Sequence, residues 1–367
     1  MRSLDFNRYA FSICVAVAIL AGCGGSQPPI GAPGAMPQSP AIATHAVHGT
    51  SWMLPEAKSE DLLYVSDGST DSVFVYSYKS RQQVGNLTGF GSPYGQCVDG
   101  TGDVWIADFR SSDVVEYAHG GTKPLKTLSV GGGSNGWPVG CSVSPNGDLA
   151  VSIGLLADAP SGAGAILVFK GASGLPVTYT DSDCYNPLAP GYDDKGNLYV
   201  EGTEYISYYM QRGNVCELPA GGTSLRVVSV RRRDHGRKRP AFGTGGVMWD
   251  GEHLALLVIN KRFKSTTATA IVRAAETPSG NLIALGDTRL SDSNCNGGFQ
   301  AQQVFIVGKN NTPVNHEQGT AVVGGNELPF DPCYYDFNSW SYPSGGTQQW
   351  SLTLRYTFGA SVSIAKK

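Results

Sequence analysis

From residue 61 onward, apolar positions come in short runs that alternate with polar ones or are rich in β-branched and aromatic residues: DLLYVSD (61–67), DVWIAD (103–108), GNLYVEG (196–202). Alternation sends successive side chains to opposite faces of an extended chain, so each run predicts a strand. Gly, Asn, Asp and Pro separate the runs, and Gly102, Gly196 and Asn197 stand where tight hairpins need positive φ. Apolar spacing of the helical kind is nearly absent. The chain reads as all-β.

One unit then recurs: a turn and strand, a second strand, a third ending in a glycine pair, and a fourth. The stretch 92–130 (SPYGQCVDGTGDVWIADFRSSDVVEYAHGGTKPLKTLSV) carries a whole copy. WPVGCSVSPNGDLAVS (137–152) with AILVFKGASGLPVTYT (165–180) is the next, followed by LAPGYDDKGNLYVEG (188–202) with NVCELPAGGTSLRVVSV (214–230). GGVMWDGEHLALLV (245–258) with TATAIVRAAE (267–276) begins another, and QQVFIVG (302–308), GTAVVGG (319–325), FNSWSYPSGG (337–346) and SLTLRY (351–356) make a looser last one. Second strands are expected to begin near 62, 104, 149, 198, 254 and 320, which is the repeat length of propeller blades. The expectation is a six-bladed β-propeller of four-stranded blades. Its first copy starts directly at its second strand, so the C-terminal strand ASVSIA (360–365) is expected to complete the first blade and close the ring.

GNLYV, WSYPSGG, ELPAGG and WDGEHLAL, spread over residues 61–365, resemble the six-bladed NHL-like and SMP-30-like propellers, and more narrowly a group of bacterial propeller lipoproteins. The resemblance implies the fold and leaves the function open. The metal ligands of SMP-30-like lactonases have no matching Glu, Asn and Asp here, so no lactonase site is carried over.

The N-terminus adds an address. Arg2 and Arg8 precede the apolar run AFSICVAVAIL, and Leu20-Ala21-Gly22-Cys23 resembles a lipobox. Residues 1–22 are read as a lipoprotein signal peptide and Cys23 as the lipidated first residue. The run from Tyr9 to Gly22 is shorter than the roughly 20 residues of a membrane-spanning helix. Residues 23–55 carry prolines and glycines but no Asp, Glu, Lys or Arg, and are read as a disordered tether; 56–367 are read as the propeller domain. The expected location is the bacterial cell envelope, lipid-anchored; Gly24 after the cysteine favours the outer membrane, facing periplasm or surface.

Net charge is only -3, which argues against nucleic acid as a partner. A monomer is expected. Beyond Cys14 and Cys23, six cysteines remain, an even number suited to an oxidising compartment. Aligning Gly95 with Gly140 in the repeat favours a bridge from Cys97 to Cys141 between blades two and three. Cys184 with Cys216, and Cys295 with Cys333, are the remaining candidates.

In a closed propeller the loops leading into the blades ring one mouth of the channel, the expected ligand face. Here they carry Tyr94, Trp137, Tyr185, Phe242 and Phe299, with Asn135, Asn186, Asn294 and Asn296 as amides. Rings plus amides suit a neutral polar ligand such as a sugar. The alternative is that the rings wedge between blades and the asparagines make turns. Asp67 and Asp108 recur at equivalent strand ends, with Glu201 nearby; they are candidates for a divalent cation, although recurrence favours capping of turns. The basic run RRRDHGRKRP (231–240) is read as a loop before blade five, solvated or docking an anion.

The histidines are scattered, and no nucleophile elbow, zinc motif or phosphate loop appears. No cofactor is evident; a structural or catalytic divalent cation is the one candidate. The sequence therefore supports a ligand- or protein-binding propeller. The alternative is a metal-dependent hydrolase, lactonase or lyase at the channel mouth.

Overall fold

The computed structural model describes residues 49–131, 136–154, 164–207, 210–232, 245–263, 266–291, 301–308, 319–325, 336–354 and 357–366. Among them there is no α-helix, and these residues form six sheets. The second sheet is a plain antiparallel meander of Pro93–Val98, Val104–Asp108, Asp113–Tyr117 and Pro124–Ser129. The third runs Pro138–Val143, Leu149–Ile153, Ala165–Phe169 and Val177–Tyr179, and the fourth Gly191–Tyr192, Leu198–Ser207, Met210–Leu218 and Arg226–Val228. The sixth runs Ala301–Gly308, Gly319–Gly325, Asp336–Tyr342 and Trp350–Thr353. This is a β-propeller-like architecture.

The first and fifth sheets depart from the plain meander. In the first, Leu62–Asp67 pairs on one side with Ser72–Ser77 and on the other with Thr357–Ser363, antiparallel, so that the C-terminal strand supplies the missing position. That strand begins at Thr357, upstream of the expected 360, and thereby takes in Phe358 and Gly359. At the outer edge Trp52–Met53 pairs with Gly85 and Asn86, so the sheet includes the end of the segment read as tether. The fifth sheet, built on Val247–Trp249, Leu254–Phe263, Thr266–Glu276 and Leu282–Ser291, gains two short parallel additions, Val230–Arg232 along Leu282–Ala284 and Gly346–Thr347 along Leu290–Ser291. Arg231 and Arg232 thus belong to an edge strand rather than to a loop.

The runs of apolar residues are explained by burial on both faces. Tyr64 and Val75 of the first sheet pack with Val104 and Ile106 of the second, while their neighbours Leu63 and Phe74 pack with Phe337 and Leu354 at the other side. Equivalent clusters join second to third, third to fourth, fourth to fifth and fifth to sixth sheets. A strand with both faces covered has no reason to alternate strictly.

Close approach of the first strands depends on missing side chains. A Cβ on Gly95 would lie 2.4 Å from Val139 O, one on Gly140 2.7 Å from Ala189 Cα, and one on Gly359 2.6 Å from Gly95 Cα. The first hairpins repeat one turn: Asp99, Ser144 and Asp193 each donate N–H to the carbonyl four residues on, at 2.8–3.0 Å, and Gly102, Gly147 and Gly196 adopt φ of 83–89°.

Candidate functional site

Each first strand begins at the end of its sheet where the second strand finishes, so the leading loops and the second-to-third turns share one face. On that face four rings from three sheets form a continuous stack. Phe358 and Tyr94 lie 3.9 Å apart between centroids at 16°, Tyr94 and Phe109 4.9 Å at 22°, and Phe109 and Trp137 5.1 Å at 25°. Near-parallel, closely spaced rings are a favourable aromatic arrangement. The inner two have both faces covered by neighbours. Trp137, at the end of the ladder, is 41% exposed.

On the main chain, Gly154 N donates to Trp137 O at 3.0 Å. The space where a Cβ on Gly154 would sit is bounded by Val139 Cγ1 at 3.1 Å and Asn186 Oδ1 at 3.4 Å. Asn186 has φ 49°, in the left-handed region that asparagine tolerates. The amide of Asn186 is thereby brought beside Gly154 and the strand Pro138–Val143 that follows Trp137.

Two disulfides join neighbouring parts of these sheets. Cys97 and Cys141 join the first strands of the second and third sheets with their Cα atoms 5.5 Å apart. Cys184 and Cys216, 6.1 Å apart, fasten the loop carrying Tyr185 and Asn186 to the third strand of the fourth sheet. They accord with an oxidising compartment. No helix among the described residues is long and apolar enough to cross a membrane.

The recurring carboxylates hold backbone. Asp67 Oδ1 accepts from Ser69 N at 2.8 Å and Ser69 Oγ at 2.6 Å, in the turn that follows it. Asp108 instead reaches back across its sheet, accepting from Gly91 N and Ser92 N at 2.8–3.0 Å, and so ties down the loop leading to Tyr94. Its cross-strand partner Asp113 has its carboxyl raised by burial, an effect opposed by Ser129 and reinforced by Asp108. Glu201 is fully buried in the second strand of the fourth sheet.

Among the described residues the carboxylates that do converge are Asp99, Asp103 and Glu116, with oxygens within 4.8 Å of one another, at the opposite face. A cation could be held there, but Asp99 Oδ1 already accepts from Thr101 N, Thr101 Oγ1 and Asp103 N, and Lys126 Nζ stands 3.8 Å from Glu116. His119 has oxygens at both ring nitrogens, Ser363 Oγ at 2.6 Å and Glu60 O at 3.0 Å, and serves the seam between chain ends.

Of the residues expected at the ligand face, Tyr94 and Trp137 enter the ladder and Asn186 lies against Gly154. Cys23, Asn135, Phe242, Asn294, Cys295, Asn296, Phe299, Cys333 and residues 233–240 of the basic run lie outside the described residues. Sequence reasoning missed Phe109 and Phe358. Both carried a signal: Phe109 directly follows the recurring Asp108, and Phe358-Gly359 repeats the Tyr94-Gly95 pair.

No protein-family model matches the chain, and no curated protein matches it. Solved structures do. The chain is similar to a chain of a nidogen/laminin complex, at 12% identity and a TM-score of 0.55, over 84% of this chain and 99% of that one. It is similar to a protein of unknown function from Bacteroides caccae, at 12% and 0.53, over 84% and 100%. A functionally unknown protein from Desulfotomaculum acetoxidans matches at 10% and 0.50, over 84% and 100%. At such identity the likeness shows the fold alone, and that fold is propeller-like.

Proposed function

We propose that this chain is an envelope-anchored lipoprotein of the NHL-like and SMP-30-like kind, whose six sheets are the blades of a closed ring and whose ladder face binds a neutral polar ligand without turning it over. The reading of a ring rests on the pairing of Thr357–Ser363 with Leu62–Asp67 and on the apolar cluster between the first and sixth sheets. The reading of an anchor rests on the lipobox-like Leu20-Ala21-Gly22-Cys23 and the uncharged, proline-rich stretch after it.

The observation that carries the binding function is the ladder ending in Trp137. An exposed indole backed by three stacked rings is a rigid flat platform, with little conformational entropy to lose when a ligand covers it. The apolar face of a pyranose fits such a platform, and the neighbouring Asn186 offers an amide donor and acceptor to its hydroxyls. The purified full chain is to be titrated with cellobiose, maltose and chitobiose while tryptophan fluorescence is followed. Saturable quenching that disappears in Trp137→Ala supports the reading; quenching that survives in the variant, or none with any sugar, removes it.

A further inference from the structure

A concave site lies on the opposite face, where the first-to-second hairpins and the third-to-fourth loops meet. It is a cleft of about 320 Å³ between the third and fourth sheets, within the range of small-ligand pockets. Asp148, Lys170 and Tyr179 come from one sheet, and Tyr192, Lys195 and Leu218 from the other. The floor is apolar: Val168 and Leu218 belong to the core between the two sheets, and the rings of Tyr179 and Tyr192 pack against it.

The polar groups are unequally committed. Asp148 gives both oxygens to the protein, Oδ2 to Lys170 Nζ at 2.7 Å and Oδ1 to Gly171 N at 2.8 Å. Burial alone would raise its carboxyl, but Lys170 and the Gly171 N–H hold it below the usual range, so it stays an anion already satisfied. Each lysine, by contrast, has three protons and uses one: Lys170 on Asp148, Lys195 on Glu276 Oε2 at 3.1 Å. Their side chains are 67% and 65% exposed, leaving the other protons to solvent or a ligand. Tyr192, its hydroxyl raised by burial and then by Asp148 and Tyr179, remains a neutral phenol. Each ammonium is charge-matched by one carboxylate, and N–H donors on both are left over.

We propose that this cleft is a binding site for a small organic anion, its carboxylate received by Lys170 and Lys195 and its flat apolar body laid on Tyr179 and Tyr192 over Val168 and Leu218. The site is separate from the ladder by face and by chemistry, and stands or falls independently of the sugar reading.

The test is calorimetric titration of the purified full chain with benzoate, benzamide and inorganic phosphate, repeated on the double variant Lys170→Gln/Lys195→Gln. Both lysines are exposed, so the variant is expected to fold, which its melting curve verifies. The expected result is saturable benzoate binding that weakens about tenfold or more in the double variant, with benzamide weaker than benzoate on the unaltered chain. Absence of saturable benzoate binding overturns the proposal. So does binding indifferent to the double substitution, and phosphate bound as well as benzoate would remove the apolar half of it.

Discussion

The side-chain amide of Gln303 lies against both main-chain polar groups of Gln96, its Oε1 accepting from Gln96 N at 3.0 Å and its Nε2 donating to Gln96 O. The two residues are 207 apart in sequence and belong to the sixth and second sheets. Between them passes Gly359 of the C-terminal strand, where a Cβ would meet Gln303 Oε1 at 2.6 Å. The Gln96 side chain continues the network, donating to Ser66 Oγ at 2.7 Å and accepting from Ser361 Oγ at 2.9 Å. An amide that mimics a neighbouring strand thus locks three first strands around the place where the chain ends meet.

Gln303→Leu removes both partners from a buried N–H and C=O that water cannot reach. Leaving such groups unsatisfied costs about 1–3 kcal/mol each, so a loss of roughly 2–6 kcal/mol is expected. Urea unfolding of the variant should show a lower midpoint with the slope unchanged; an unchanged midpoint would mean that the amide clamp contributes nothing.

Gly95→Ala tests the contact between first strands. Its Cβ would face Val139 O at 2.4 Å and Gly140 Cα at 2.8 Å, backbone that cannot swing aside. Overpacking of this kind costs about 1–3 kcal/mol. Gly100→Ala, with nothing within 4 Å of the added methyl, is the matched control and should unfold at nearly the same denaturant concentration as the unaltered protein.

Removal of the bridge between the second and third sheets by Cys97→Ser/Cys141→Ser opens a loop with a sequence separation of 44. Chain entropy assigns such a loop about 4 kcal/mol. The expected drop in thermal midpoint should be reproduced by reduction of the unaltered protein, with a further decrease from the Cys184–Cys216 bridge.

His119 makes stability depend on pH. Burial lowers its imidazole below the ordinary value, against the raising effect of Glu60 O, Asp61, Ala57 O and Asp103. The folded state therefore favours the neutral ring. Its contribution is fully present above the unfolded value of about 6.5 and is lost as pH falls from there toward the lowered folded one. Glu116 and Glu217, raised by burial, act in the opposite sense. Comparison with His119→Gln cancels them: the stability gap between the two proteins should narrow as the solution is acidified, and a constant gap would contradict the assignment.

Much of the fold was legible because the information is local. Second strands begin at Leu62, Val104, Leu149, Leu198, Leu254 and Gly319, where the repeat places them, and Gly102 and Gly196 take the positive φ their hairpins require. The Gly95 and Gly140 alignment also identified the Cys97–Cys141 bridge, because two cysteines at neighbouring registers of adjacent first strands come within disulfide reach. The edge additions Val230–Arg232 and Gly346–Thr347 were illegible, since short parallel pairings leave no periodic trace.

By itself the sequence determined the strands, their turns, the repeat that groups them into sheets and the strand at the C-terminus that completes the first, because period-two patterning and turn chemistry act over a few residues. Tertiary structure alone decided that Phe358 would stack on Tyr94 and Phe109 on Trp137, that Gln303 would clasp Gln96, and that Lys170 and Lys195 would line one cleft. Each of these joins residues from different sheets. Their meeting depends on the distance and rotation between neighbouring sheets, which the packing of buried side chains sets and no local pattern in one strand encodes.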